Sequence, residues 1–401
     1  MSQHDYVIAD QSHTAFRADL NLALAASVGL NSGATAPATT YAYMLWADTA
    51  NALWKIRDST NSSWLVIGPI APTVALQRAF ISVDMPKLVV TGSGGVLTIA
   101  LKNASGSDAS AVEPITLPFR NSTLATGDTT LLQITAAASQ TLSNGSTLGV
   151  TTGPARVWFV LFNDAGTGRI GAVNCLNGSN VMALVNDALY SSTAEGGAGA
   201  ADSAQTIYTG TAVTSKAMCI LGYAEWTSLT AGTWTTPDKV QQYRPGVPLP
   251  GAVVQVQRNA TGAVATGTTL IPFDDTIPQN TEGDQYMSQA ITPRSAANVL
   301  AVSAQGSYSN TISSTDTMIQ ALFQDSTAGA LACTAEAKGV SSGPVLLATT
   351  YAMKAGTTSA TTFKIRAGQQ TVGTTNFNGH NGTRIFGGVV SSFIEVLELM
   401  A

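Results

Sequence analysis

Charge is what this 401-residue chain most lacks: charged residues are 11% of it, 19 Lys and Arg against 24 Asp and Glu, for a net charge of -5. Soluble globular proteins carry roughly 25%, so this is not the surface of an ordinary cytosolic enzyme. The same shortage argues against nucleic acid as a partner, because phosphate binding needs a basic patch and the Lys and Arg here are dispersed. Cysteine is also scarce. Cys175, Cys219 and Cys333 are odd in number, widely spaced and set in apolar strings such as AVNCL and AMCIL. That pattern predicts buried free thiols rather than a disulfide framework. The three histidines, His4, His13 and His380, share no zinc-like spacing with one another or with a cysteine, so no metal and no cofactor is expected. Apolar runs such as Val157–Phe162 stop far short of the roughly 18 residues of a membrane helix, and no membrane insertion is expected. The opening MSQHDYVIAD lacks the basic start and apolar core of a secretory signal.

Catalytic constellations are missing as well. Gly339-Val340-Ser341-Ser342-Gly343 spells the G-x-S-x-G of a nucleophile elbow, but no helix pattern follows it and no acid lies between Ser341 and His380. Asp274, Asp275, Glu282 and Asp284 are the densest acidic group, in a Pro-containing loop where solvated turn residues are expected. Glu395 and Glu398 differ in parity on the last predicted strand, so they point to opposite faces and cannot flank a glycosidic bond together. The chain is read as a non-enzyme.

What is present in abundance is β signal. Short β-branched and aromatic runs alternate with Gly, Pro, Asn and Asp clusters along most of the chain. From Gly251 to Ala401 seven or eight runs predict an antiparallel sandwich of jelly-roll type, ending on a core strand with a closed C-terminal tip. Thr361–Ala367 is its best strand, with Thr361, Phe363, Ile365 and Ala367 on one face and Thr362, Lys364 and Arg366 on the other. Between residues 114 and 250 a middle β-sandwich domain is expected, with RVWFVLF and GRIGAVNCL pairing around a loop longer than two residues. VWFVLF does not alternate, so both faces of that strand should be buried. Prolines 245, 248 and 250 close the domain. Residues 71–113 read as a β neck or linker. Residues 1–70 differ: Phe16, Leu20, Ala23, Leu24 and Val28 lie at helical spacing after Ser12 or Thr14 and before Gly29, and three short strands follow. The fold class is therefore mostly β and multi-domain, with sandwich modules and one short N-terminal helix. Neutral Thr- and Gly-rich β surfaces bury readily between identical subunits, because few charges must be desolvated. A homo-oligomer is expected.

Two groups of residues stand out as contact candidates. Trp46, Trp54 and Trp64 are half of the six tryptophans and sit in one small module, where they either build its core or dock it onto another protein. In NFNGHNGTR (376–384), Phe377 and His380 could stack on a sugar while Asn376 and Asn378 hydrogen-bond its hydroxyls. The Asn-Gly pairs equally predict a structural turn.

Several strings resemble bacteriophage tail-fibre or receptor-binding proteins. DDTIPQNTEGDQYMSQAITPRSAANVL, ALFQDSTAGALA, TTFKIRAG, TTNFNG and GGVVSSFIEVLELMA are similar to the C-terminal domain of such fibres. DYVIADQSHTAFRADLNLAL with SGATAPATTYAYMLWADTANALWKIRDSTNSSWLVIG resembles their N-terminal attachment modules. PITLPFRN, SSTAEGGAGAADSAQTIYTGTAV, GYAEWT and PGVPLPG resemble a phage tail module. The resemblance implies a homotrimer with a tumour-necrosis-factor-like jelly-roll tip over 251–401. Residues 1–70 would be held by a virion tail or capsid protein, and a host surface glycan or protein would be touched by the tip. It implies a virion appendage made in the bacterial host cytoplasm. The alternatives are a capsid or tail decoration fibre without receptor binding and a glycan-degrading tail spike.

Overall fold

A computed structural model describes residues 3–8, 10–70, 86–111, 113–120, 128–200, 202–311, 316–338 and 343–401. The protein is mostly β, with one α-helix, several antiparallel sheets and more than one domain. The first part of the neck or linker expected over 71–113, and most of the G-x-S-x-G string, lie outside the described residues.

The helix spans His13–Val28. The Ser12 carbonyl accepts the Phe16 N–H at 2.8 Å, and the Gly29 N–H returns to Ala25 at 2.9 Å. Its side chains do not follow the expected pattern of burial. Only Ala23 and Ala26 are buried, whereas Leu24 is 55% and Val28 86% exposed. The chain covers the narrow alanine edge of the helix and leaves its larger apolar stripe open to solvent. Leu45–Asp48, Leu53–Arg57 and Trp64–Pro69 then form an antiparallel meander. Its turn is fixed by Asp48, a buried carboxylate that accepts the Asn51 N–H at 3.1 Å and the Lys55 Nζ at 2.8 Å. Burial works to raise this carboxyl, yet Lys55 and Asn51 bring its pKa down to about 2.

The middle domain is organised by the strand Gly153–Asp164, paired on one side with Thr167–Val173 and on the other with Lys216–Leu229. Both of its faces are buried within this chain. Val157, Phe159 and Leu161 enter one core with Leu97, Ile99 and Leu101, while Trp158, Val160 and Phe162 enter a second with Val173, Met218 and Tyr223. Leu97, Ile99 and Leu101 belong to the stretch expected to be a neck. Strands Lys87–Ser93 and Val96–Lys102 instead pack into the middle sandwich, because their alternating apolar residues complete its core. The hairpin loop differs as well. Thr167 pairs with Asp164, leaving the two-residue turn Ala165-Gly166, whose φ values of 50° and 89° match the twist of the flanking strands.

In the C-terminal domain, strands Val253–Thr261, Ser392–Leu399, Val299–Asn310 and Val345–Lys354 lie side by side in that order. Asp284–Ile291, Thr361–Gln369, Asp316–Gln324 and Ala332–Lys338 form the facing sheet. Phe363 and Ile365 from one sheet meet Val302, Ile394 and Val396 from the other in a closed core. Thr361, Phe363, Ile365 and Ala367 are buried, as the alternation predicts. Ala332–Lys338 escaped the sequence reading, because ACTAEAK carries no β-branched alternation.

The end of the last strand is not a free tip. Met400 joins the second core of the middle domain. An Ala401 oxygen accepts Arg156 Nη1 at 2.7 Å and Trp158 Nε1 at 2.9 Å. Arg156, 4% exposed, also donates to Glu225 Oε1 at 3.0 Å and to Asn298 Oδ1 at 2.7 Å. Asn298 Nδ2 in turn donates to the buried Glu398 at 2.6 Å. This network ties the two sandwiches together. Glu395 and Glu398 do point to opposite faces: Glu395 pairs with Arg258 outside, and Glu398 is enclosed.

Candidate functional site

The expected contact residues of the 376–384 loop are mostly interior. Asn376, Phe377 and Asn378 are 0%, 2% and 0% exposed. Phe377 stacks on Tyr286 with ring centroids 5.0 Å apart and tilts against Tyr308 at 5.6 Å. Asn376 Oδ1 accepts the Gly382 N–H at 2.6 Å. Asn378, at φ 53°, donates to the Thr261 carbonyl at 2.9 Å and accepts the Ser392 hydroxyl at 2.7 Å. These three side chains hold the end of the sandwich, so the receptor contact expected of them is replaced by a structural role. Buried amides must satisfy their hydrogen bonds inside the fold and cannot offer them to a sugar. His380 is half-buried, with Nδ1 unpartnered.

The tryptophans divide unevenly. Trp46 is buried and its ring lies 5.2 Å from that of Trp64. Lys55 sits 4.7 Å over Trp46, and Arg57 sits 5.0 Å over Trp64. Trp54 and Trp64 are half-buried. The module core therefore uses Trp46 in full and the other two in part, and what it exposes instead is Leu65, Val66 and Ile67 on the last strand of the meander.

The cysteines also differ from one another. Cys175 is enclosed, and burial pushes the Cys219 thiol up to about 12, so both are inert. Cys333, expected to be buried, is exposed because its strand forms the edge of the facing sheet. The acidic loop residues fix turns: Asp274 accepts the Thr276 N–H at 2.9 Å, Asp284 the Thr269 N–H at 2.9 Å and Glu282 the Gln279 N–H at 2.9 Å. Among the described residues, no cluster of His, Cys, Asp and Glu could hold a metal ion.

The surface with the clearest physical character was not singled out in the sequence. Register fixes which side chains stand outward on the sheet that includes the last strand. One cross-strand row is Val256, Leu397, Ala301 and Ala352; the row beyond Arg258 and Glu395 contains Ala260, Phe393, Gln305 and Ala348. Leu346 continues this face and is 57% exposed, and Val256 is 51% exposed. The only charges between these rows are Arg258 and Glu395, 3.4 Å apart, and the guanidinium also lies 4.4 Å over the Phe393 ring. Lys354, at the edge near the middle domain, is turned onto the Pro154 carbonyl. The face thus combines apolar and small side chains with Gln305 and with a polar middle row of Arg258, Glu395, Ser303 and Thr350, in which the two charges neutralise each other. Only pairing reveals it, because its members come from four strands spread over about 150 residues.

No family model matches the chain, and no curated protein matches it. Among solved structures, it is similar to the Eiger TNF of S. frugiperda at 13% identity and a TM-score of 0.22, over 38% of this chain and 94% of that one. It is also similar to an infectious bursal disease virus particle protein at 12% identity and a TM-score of 0.20, over 79% of this chain and 72% of that one. Likeness at that level is faint, and the functional reading rests on the molecule itself.

Proposed function

We propose that this chain is a non-enzymatic structural protein of a virion appendage, a phage tail fibre that assembles as a homotrimer. Residues 1–70 would be held by a virion tail or capsid protein, and the C-terminal sandwich would be presented to a bacterial surface. One observation carries the reading: the outer face of the sheet built on Val253–Thr261, Ser392–Leu399, Val299–Asn310 and Val345–Lys354 has two rows rich in apolar and small side chains on either side of a polar row whose two charges, Arg258 and Glu395, pair with each other. Such a face loses little by desolvation and gains hydrophobic stabilisation on meeting copies of itself. The open apolar stripe of the N-terminal helix and the exposed Leu65, Val66 and Ile67 support a second contact at the other end, with the virion. Multivalent presentation raises avidity through effective concentration even where each contact is modest.

Sedimentation of the full chain tests this directly. The expected mass is that of three chains, and Ala352→Lys, at an exposed position in the apolar row, should shift it toward the monomer. A parent protein that stays monomeric at tens of micromolar would sink the reading. Imaging of virions with an antibody against residues 251–401 separates a tail fibre from a capsid decoration, since label on the head would contradict the former.

A further inference from the structure

The C-terminal sandwich has one end fastened to the middle domain and one end free. Met400 and Ala401 mark the fastened end. The strand Ser392–Leu399 runs from there to the segment 379–391, which closes the opposite end, roughly 25 Å away for eight residues of strand. In this segment Phe386, Gly387 and Gly388 adopt φ values of 48°, 65° and 88° in succession. Glycine takes this conformation freely, but a phenylalanine rarely does, because its Cβ crowds the backbone. Burial does not compensate, since the Phe386 ring is 74% exposed and the neighbouring Val389 81%. Strain that holds an aromatic ring out in solvent is the kind of feature that marks a binding surface.

Arg384 stands two residues before Phe386 in the same segment. It is exposed, and its side chain runs along Gly388, where an added Cβ would come within 2.7 Å of Arg384 Cδ. Segment 379–391 contains no acidic residue. Two exposed apolar side chains offer far less than the roughly 800 Å² per partner of a stable protein interface. They match a ligand unit of sugar size, with the ring for its apolar face and the guanidinium fork for a carboxylate or phosphate substituent. Asn381 and Thr383, both exposed, stand in the same segment to meet hydroxyls. We propose that Phe386 and Arg384 form the contact for an anionic saccharide unit at the free end of the sandwich. This inference rests on the host-attachment reading and names its ligand class.

Affinity electrophoresis of the full chain tests it, in gels containing polygalacturonate for carboxylate, poly(glycerol phosphate) teichoic acid for phosphate, or dextran as the neutral control. Retardation is expected with at least one acidic polymer and not with dextran. Phe386→Ala and Arg384→Gln should each weaken it tenfold or more, while Val372→Ala, at another exposed position, should leave it unchanged. Unchanged retardation in Phe386→Ala, equal retardation by dextran, or none with either acidic polymer would overturn the proposal. Adsorption of the same proteins to host cells separates the two levels: normal adsorption by Phe386→Ala removes this site alone, whereas no adsorption by the parent removes the attachment reading itself.

Discussion

Arg156→Met probes the joint between the two sandwiches. The guanidinium is nearly enclosed, lies 4.9 Å over the Tyr223 ring, and serves Glu225, Asn298 and an Ala401 oxygen at once. Methionine replaces much of the stem volume but none of the donors. Removing one partner of a buried ion pair costs roughly 3–5 kcal/mol, mostly because the other charge is left behind. Here Glu225 keeps the Ser295 hydroxyl at 2.8 Å and Lys239 at 3.6 Å. The loss should therefore fall near the lower end, about 3 kcal/mol. For a unit of this size that is a drop in Tm of about 6–12 °C. Calorimetry at fixed protein concentration measures it, since the stability of a self-associating chain depends on concentration. Adding Glu225→Gln removes the stranded charge, and the double variant should be more stable than Arg156→Met alone. A single-variant loss under about 1 kcal/mol, or a double variant that is simply the sum of the two losses, would refute the argument.

Glu225 also predicts a pH dependence. Burial works to raise its carboxyl, but Arg156, Ser295 and Lys239 outweigh that and hold it below the ordinary carboxylate range. A lowered folded pKa means stability that is complete above the unfolded value and lost as pH falls through the folded one. Tm should thus decline on acidification below the ordinary carboxylate range, and Glu225→Gln should flatten that decline. Asp48 behaves alike at a lower pH: with a folded pKa of about 2, near-UV circular dichroism from the Trp46–Trp64 pair should persist to about pH 3 and fade below it. Gly92→Ala should destabilise the middle domain by roughly 1–3 kcal/mol in urea unfolding, because a Cβ there would meet the Thr235 carbonyl at 2.1 Å. An unchanged midpoint would refute a close crossing of Thr235 and Thr236 over this strand.

Local features were legible in sequence wherever one strand or turn carries its own pattern. Thr361–Ala367 alternates strictly and is half-buried as written. VWFVLF does not alternate, and two cores close over it. Of the two residues offered for the helix start, Ser12 and Thr14, the structure uses Ser12, and the helix ends at Gly29 as read. The burial of the helix was not legible, because which face of a helix is covered depends on what lies beside it, and here only Ala23 and Ala26 are approached. The loop 376–384 misled for the same reason. Asn and Gly there announce a turn correctly, but whether Asn376 and Asn378 face a ligand or the backbone of Thr261 and Gly382 is decided by residues far along the chain.

Composition and periodicity by themselves determined that this protein is a mostly β chain of low charge content and more than one domain, because charge content and side-chain alternation are properties of the residues taken in order. Only tertiary structure decided that Met400 and Ala401 lie against the middle domain, that residues 379–391 form the free end, and that Val256, Leu397, Ala301 and Ala352 share one face. Each of those facts depends on strand order and register, and pairing between segments about 150 residues apart leaves no local trace in the sequence.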